Sequence, residues 1–103
     1  MRKPIMAGNW KMYKKLSEAV DFVKALKPLV EGVHDRTIVV CPTYPVLKDV
    51  CDEICDSNIF VGAQDLYWED EGAFTGEVSA PMLKAVGCTY VIIGHSERRQ
   101  YFG

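Results

Sequence analysis

The chain lacks any long hydrophobic run, and no stretch approaches the roughly 20 apolar residues that a membrane span needs. It also lacks a strong charge of one sign, because 14 acidic and 12 basic residues leave a net charge of -2. The longest basic clusters are two pairs, Lys14-Lys15 and Arg98-Arg99. We therefore expect neither a nucleic-acid-binding stripe nor a membrane-surface patch.

Cysteines are few, and the first residues lack the apolar core of a secretory signal. We therefore expect a cytoplasmic protein with reduced thiols. Neither histidine lies close in sequence to the cysteine pair at positions 51 and 55, so a zinc site is not predicted. All four cysteines are instead expected to be small core residues: Cys41, Cys51, Cys55 and Cys88.

Four short apolar runs recur along the chain without alternating apolar and polar residues. Such continuous runs are typical of parallel β-strands buried on both faces. The predicted strands lie in residues 5–7, 37–41, 59–63 and 90–93. Apolar residues at helical spacing predict three helices between them: one from an N-cap at Ser17 to a stop or kink at Pro28, one from Pro45, and one from Ala80 to Val86.

This alternation predicts an α/β fold, a parallel (βα)n repeat forming a single domain over residues 1–103. One connection, residues 64–79, is longer than the roughly 2–6 residues of a usual βα loop. It carries Tyr67, Trp68 and Phe74, whose rings are unfavourable in water. The loop is either folded against its own core or is a surface for a partner.

Polar side chains follow the predicted strands at the ends where parallel α/β folds bind ligands. Asn9 and Lys11 follow the first strand, and His95 and Glu97 follow the fourth. The rim residues after the second and third strands are Pro42, Thr43, Gln64 and Asp65. Such a group of side chains would hold an anionic substrate and move protons. Taken singly, each also fits a structural or solvent-exposed role.

His95 follows Gly94 and precedes a predicted helix start at Ser96. The positive potential at a helix N-terminus disfavours an imidazolium, and a neutral imidazole there would donate a hydrogen bond to a carbonyl or enediolate oxygen. Residues 7–12 match neither a dinucleotide fingerprint nor a Walker loop. No nucleotide-binding loop therefore competes for this rim.

Two segments of the rim, AGNWKM at residues 7–12 and YVIIGHSERR at residues 90–99, resemble signatures of the triosephosphate isomerase family. VGAQD at 61–65 and GAFTGE at 72–77 resemble its third-strand and third-loop motifs. These four motifs occur in order over essentially the whole chain. The fold that the resemblance implies is the N-terminal half of a (β/α)8 TIM barrel, with strands 1 to 4 and the intervening helices.

The resemblance also implies the activity, which is interconversion of dihydroxyacetone phosphate and glyceraldehyde 3-phosphate through an enediol, without a metal or organic cofactor. Asn9 would then bind substrate, Lys11 would neutralise the phosphate and the developing charge, and His95 would polarise the carbonyl. Glu97 would position Lys11. The family's typical homodimer implies a subunit interface formed by Phe74, Thr75, Gly76, Glu77 and Arg98.

A complete barrel needs about 250 residues, whereas this chain has 103. The family's glutamate base, closing loop and phosphate-binding loops would lie beyond Gly103. We therefore expect an N-terminal half-barrel that is nearly inactive alone. Its inner sheet face would be uncovered, so it would self-associate or bind a complementary C-terminal half-barrel. Met6, Val39, Val61 and Ile92 lie in the apolar runs, and whichever of them face inward would be left uncovered.

Two other functions fit the same residues. The chain is alternatively a non-catalytic assembly module, whose activity is association through its open sheet and aromatic loop. A further alternative is a small α/β protein that binds a different sugar phosphate with Lys11, His95 and Glu97, in which Glu97 or Glu77 acts as the base.

Overall fold

The computed structural model describes residues 2–103. Within this range four strands of a parallel sheet alternate with four helices, and the strands are ordered as they occur in the chain. The elements are β1 (Ile5–Asn9), α1 (Leu16–Val30), β2 (Thr37–Cys41), α2 (Tyr44–Ile54), β3 (Ile59–Ala63), α3 (Ala80–Val86), β4 (Tyr90–Val91) and α4 (Ser96–Phe102). The sheet and its helices form a curled half-barrel, which confirms the predicted fold class.

The hydrophobic core lies between the helices and one face of the sheet. The register pairs Val40 with Val61, and both side chains join the core cluster. Helix α1 contributes Ala19 and Val23 to this cluster. Helix α2 contributes an apolar stripe at helical spacing, which is Val46, Leu47, Val50, Cys51 and Ile54. Burial of these stripes attaches α1 and α2 to the sheet.

The opposite face of the sheet carries the alternate residues of the same strands. A Cβ placed on Gly62 would lie 3.0 Å from Cys41 Sγ and 3.2 Å from Tyr90 Cβ, so these three residues share this face. Phe60 and Tyr90 meet there edge to face, with ring centroids 5.9 Å apart. Their side chains are 42% and 40% exposed, so the edge-to-face pair faces solvent.

The prediction of strands buried on both faces is therefore wrong for part of the sheet. Strand β1 is exposed from Ile5 to Gly8, and Met6 is 56% exposed. Val39 and Val61, on the two central strands, are buried. Exposure is not confined to the edge strand β1, since Phe60 on the central strand β3 is 42% exposed on the face opposite the core.

Several element boundaries differ from the predictions: β1 extends to Asn9, α2 begins at Tyr44, and two further boundaries are set by hydrogen bonds. Helix α1 has Lys15 rather than Ser17 at its N-cap, where the Glu18 carboxylate accepts a 3.0 Å hydrogen bond from the Lys15 backbone N–H. Strand β4 ends at Val91, two residues before the predicted end. The Ile92 backbone N–H nevertheless still donates a 2.9 Å hydrogen bond to the carbonyl of Ala63, the last residue of β3. Both boundaries depend on hydrogen bonds that residue type alone does not specify.

Helix α1 continues through Pro28 to Val30, so Pro28 does not end the helix, and of the two predicted effects the stop is wrong. The proline lies in the last turn, where its missing N–H removes one hydrogen bond near the helix end. Asn58 stabilises this end, because its side-chain Nδ2 donates to the carbonyl oxygens of Val30 at 2.7 Å and Val33 at 2.9 Å.

Three cysteines occupy core positions and one does not. Cys41, Cys51 and Cys88 are buried, whereas Cys55 is exposed because α2 ends at Ile54 and leaves Cys55 as its C-cap. The described residues contain no group of three or more His, Cys, Asp or Glu side chains able to hold a metal ion. Over the same range, no helix combines the length and apolar character needed to cross a bilayer.

The long connection between β3 and α3 folds onto itself. The Tyr67 backbone N–H donates to the Val78 carbonyl at 2.7 Å, and the rings of Tyr67 and Phe74 lie 4.5 Å apart. The Trp68 ring lies 6.2 Å from that of Tyr67, and Trp68 is 79% exposed. The loop therefore packs its aromatic rings against one another at the surface and presents Trp68 to solvent.

Candidate active site

The carboxyl ends of the strands surround a cleft of about 240 Å³. Its lining includes the four rim residues that the sequence singled out, Asn9, Lys11, His95 and Glu97. They come from opposite ends of the chain and meet because the strand ends of a parallel sheet lie at one edge. The other polar residues of the cleft are Thr43, Tyr44, Gln64, Asp65 and Arg98.

Lys11 and Glu97 form an ion pair at the cleft, with Lys11 Nζ donating to Glu97 Oε1 at 2.6 Å. This hydrogen bond, reinforced by the charge of the ammonium, lowers the pKa of Glu97 below its usual range. The same contact raises the pKa of Lys11. Both side chains are about half exposed, so the ammonium is charged at neutral pH and accessible to an anionic ligand.

The backbone of Lys11 is held on both sides by polar side chains. Its N–H donates to Asn9 Oδ1 at 2.8 Å, and its carbonyl accepts from Gln64 Nε2 at 2.7 Å. Gln64 Nε2 also donates to the Cys41 carbonyl at 2.8 Å. The sequence placed Gln64 on the rim without a role, and the signals for it were its position directly after β3 and its place in the VGAQD segment.

His95 is the N-cap of α4, and its Nδ1 accepts a 3.0 Å hydrogen bond from the Glu97 backbone N–H. A ring nitrogen that accepts a hydrogen bond carries no proton, so the neutral ring has its proton on Nε2. The backbone therefore selects the tautomer in which Nε2–H can donate to a ligand oxygen.

A second ion pair lines the cleft beside the first. Arg98 Nε lies 3.1 Å from Asp65 Oδ2, and the Tyr44 hydroxyl donates to the Asp65 backbone carbonyl at 2.7 Å. Burial, with a smaller effect from the Asp65 charge, raises the pKa of Tyr44 to about 12, so the phenol stays protonated and remains a donor. Neither Tyr44 nor Asp65 had a role predicted from the sequence, and Arg98 was expected only at an interface.

The loop residues of the predicted subunit interface lie outside the cleft. Phe74, Thr75, Gly76 and Glu77 belong to the 64–79 loop and are exposed. Of the two carboxylates considered as an alternative base, Glu97 lines the cleft but is paired with Lys11, whereas Glu77 is not among the lining residues.

The cleft thus combines an ammonium for an anion with an imidazole N–H for a polarised carbonyl oxygen. Such groups at the carboxyl ends of a curled parallel sheet place the chain in the class of (β/α)-barrel proteins, whose ligands bind at this rim.

Comparison with known proteins narrows this class to one family. The family model for triosephosphate isomerase matches residues 4–103. The triosephosphate isomerases of Endomicrobium trichonymphae and Geobacter metallireducens are 63% and 60% identical over 103 residues, which is all of this chain and 41% of each of theirs. The crystal structure of triosephosphate isomerase from Bartonella henselae has a TM-score of 0.90 at 35% identity, covering 98% of this chain and 41% of that chain.

The chain therefore belongs to the triosephosphate isomerase family. It spans about 41% of the length of the curated relatives it matches.

Proposed function

We propose that this chain supplies the substrate-binding and carbonyl-polarising part of a site that interconverts dihydroxyacetone phosphate and glyceraldehyde 3-phosphate. The observation that carries the proposal is the cleft that joins the Lys11 ammonium to His95, whose Nδ1 accepts from the Glu97 N–H. Family membership supports the same reaction.

In the proposed mechanism, Lys11 attracts the substrate phosphate and the negative charge that develops on the enediolate. The Nε2–H of His95 donates to the substrate carbonyl oxygen, which makes the neighbouring C–H more acidic. His95 then moves a proton between the two oxygens of the enediolate. Asn9 contributes to substrate binding, and Glu97 keeps the Lys11 ammonium at the cleft.

Removal of the proton from carbon needs a base that the described residues of the cleft do not offer in free form. Glu97 is paired with Lys11, and Asp65 is paired with Arg98. The low pKa of Glu97 also makes it a weak base. We propose that the base belongs to the part of the longer relatives that this chain does not match. Without a positioned base the rate falls by about 10²–10⁴-fold, so slow turnover by the isolated chain is expected.

The first test is binding of dihydroxyacetone phosphate to the 103-residue chain, followed through the NMR signals of His95. We expect these signals to shift in the parent chain and in Lys48→Met, but much less in Lys11→Met. Lys48 is the matched control, because it also pairs with a carboxylate, Asp52, but lies outside the cleft. Unchanged His95 signals in the parent chain would contradict the proposal, and tighter binding of a larger sugar phosphate would favour the alternative substrate.

The second test is a coupled isomerase assay on the purified chain and on His95→Gln prepared identically, so that contaminating host enzyme is recognised. We expect little or no turnover that depends on His95. A His95-dependent rate within about tenfold of a full-length family member would show that the chain already contains a working base.

Association is the second candidate function, favoured by exposed aromatic residues on the face of the sheet opposite the helices. Phe60 and Tyr90 lie on this face, and Ile5 on the edge strand β1 is 57% exposed. We propose that a second copy or a complementary half-barrel covers these residues. Sedimentation velocity tests this proposal with the variant Phe60→Asp. The control variant is Leu29→Asp, at an exposed leucine on α1. A parent chain that stays monomeric at high concentration would contradict the proposal.

The 64–79 loop, together with Arg98 of α4, is proposed as a separate surface for a neighbouring subunit, and its loop residues are Phe74, Thr75, Gly76 and Glu77. The exposure of Trp68 supports this reading, because a ring of that size is unfavourable in water. Trp68→Glu should then weaken self-association, whereas Tyr13→Glu, at another exposed aromatic residue, should not. Equal sedimentation of parent and Trp68→Glu would exclude this surface.

A further inference from the structure

Lys11 has a backbone conformation that its residue type does not favour. Its φ is +54°, in the left-handed region where a side chain with a Cβ is crowded by the backbone. Lysine has no short polar side chain with which to stabilise this conformation locally. Such a residue persists only where neighbouring groups hold it.

Side chains from two strand ends hold this backbone. Asn9, at the end of β1, accepts from the Lys11 N–H at 2.8 Å, and Gln64, after β3, donates to the Lys11 carbonyl at 2.7 Å. The second N–H of the same Gln64 amide donates to the Cys41 carbonyl, at the end of β2, at 2.8 Å. Both partners of this nitrogen are carbonyl oxygens, which only accept, so chemistry requires the NH₂ group at this position.

We propose that Gln64 is a positioning residue that fixes the Lys11 backbone and thereby directs the Lys11 ammonium to Glu97 and the cleft. A lysine side chain has several free torsions, so a fixed backbone strongly restricts where its ammonium can reach. The meaning of this restraint for catalysis rests on the proposed function, but the restraint itself does not require a ligand.

Lys14 shows that a positive φ alone does not direct a lysine into the cleft. Its φ is +73°, yet its ammonium lies 4.7 Å from the Phe22 ring centroid and 5.6 Å from that of Trp10. Lys14 is not among the residues that line the cleft. The hydrogen bonds around the Lys11 backbone, rather than its conformation class, distinguish the two lysines.

The test compares Gln64→Met with Gln100→Met, the same substitution at an exposed glutamine of α4. NMR on the ligand-free 103-residue chain provides two readouts: the backbone shifts of Lys11, which report its φ, and the pH titration of the Glu97 carboxyl carbon. We expect Gln64→Met to move the Lys11 shifts away from left-handed values. The Glu97 pKa should rise toward its ordinary value, because the ammonium is no longer held against the carboxylate. Gln100→Met should change neither readout.

A second variant, Gln64→Glu, adds a pH signature that loss of packing would not produce. At neutral pH the introduced carboxylate cannot donate to two carbonyls, so Lys11 should be displaced as in Gln64→Met. Acidification protonates the introduced carboxyl and restores one donor, so the Lys11 shifts should return part of the way. The same pH series on Gln64→Met, which has no carboxyl at this position, shows how much of the change in the Lys11 shifts comes from protonation of Glu97.

A folded Gln64→Met chain with parental Lys11 shifts and a parental Glu97 titration would overturn the proposal, as would a Gln64→Glu chain without recovery in acid. If Gln64→Met does not fold, Lys11→Gly supplies the test, because glycine adopts positive φ without crowding. Lys11→Gly should then restore folding to Gln64→Met. If Gln64 only connected the strand ends by hydrogen bonds, Lys11→Gly would not restore folding. Failure of triose phosphate binding would leave all of these results unchanged.

Discussion

Lys11 Nζ and Glu97 Oε1 lie 2.6 Å apart, although their residues are separated by 86 positions in the chain. The contact joins the loop after the first strand to the first turn of the last helix. It therefore links two segments that are distant in the chain, and it lowers the pKa of Glu97 and raises that of Lys11.

The first prediction concerns the pH dependence of stability. The Glu97 pKa is lowered on folding, so its contribution is present above the ordinary carboxyl pKa of about 4.3 and is lost as pH falls through the folded value. The Lys11 pKa is raised, so the same pair contributes below about 10.4 and its contribution is lost as pH rises through the folded value. Glu97→Gln should flatten both limbs of the pH profile in urea unfolding.

Asp49→Asn is the control for this profile, because it removes the same charge from an exposed position on α2, away from the cleft. Its profile should keep the shape of the parent. Parallel profiles for the parent and Glu97→Gln would show that the ion pair does not contribute to stability in solution.

The second prediction concerns the core under α2. Leu47 is 3% exposed, so Leu47→Ala leaves a cavity and should lower the free energy of unfolding by about 2–5 kcal/mol. The matched control is Leu29→Ala, at a leucine of α1 that is 78% exposed. This substitution should change the free energy of unfolding by no more than about 0.5 kcal/mol. Chemical denaturation measures both. Similar losses for the two variants would be inconsistent with the described packing.

The third prediction concerns the end of α3. Gly87 has a φ of +105°, and a Cβ there would lie 3.2 Å from the Cβ of Cys51. Gly87→Ala should therefore lower the free energy of unfolding by about 1–2 kcal/mol from backbone strain alone. Gly32→Ala has open space around the added methyl group and should be close to neutral. A Gly87→Ala chain as stable as the parent would contradict the left-handed conformation.

The fourth prediction concerns the thiols. Cys55 is exposed, whereas burial raises the pKa of Cys41 and Cys88, and that of Cys51 to about 11. Because the thiolate is the reactive form, one thiol per chain should react rapidly with a chromogenic disulfide at neutral pH. Cys55→Ser should abolish this fast phase, and Cys51→Ser should leave it intact. A second fast equivalent in the native chain would contradict the described burial.

The strands were predictable because continuous apolar runs of this length are too short for a buried helix and are typical of buried strands. Strands β2 and β3 have the predicted bounds, and so does α3, where Pro81 and Gly87 mark the two ends. The exposure of β1 was not predictable, because the run around Met6 reads the same whether or not a neighbour covers it. The apolar pattern of a segment predicts that it is a strand. Whether the strand is buried depends on the elements that cover it, which the pattern does not specify.

Part of the candidate site followed from topology alone, since the carboxyl ends of parallel strands share one edge. This argument placed Lys11 and His95 at one rim. It did not predict the positive φ of Lys11, because lysine has no preference for that region, nor the contacts of Gln64 with two carbonyls. These details depend on side-chain directions and hydrogen bonds between distant segments, which residue type does not encode.

The sheet order, in which every strand pairs only with its neighbour in the chain, has a consequence for biosynthesis. Each βα unit can dock on the preceding one as it leaves the ribosome, at about 5–20 residues per second. The partner of Lys11 is synthesised 86 residues later. During translation, the loop after the first strand therefore carries an unpaired Lys11 ammonium until the segment after the fourth strand emerges.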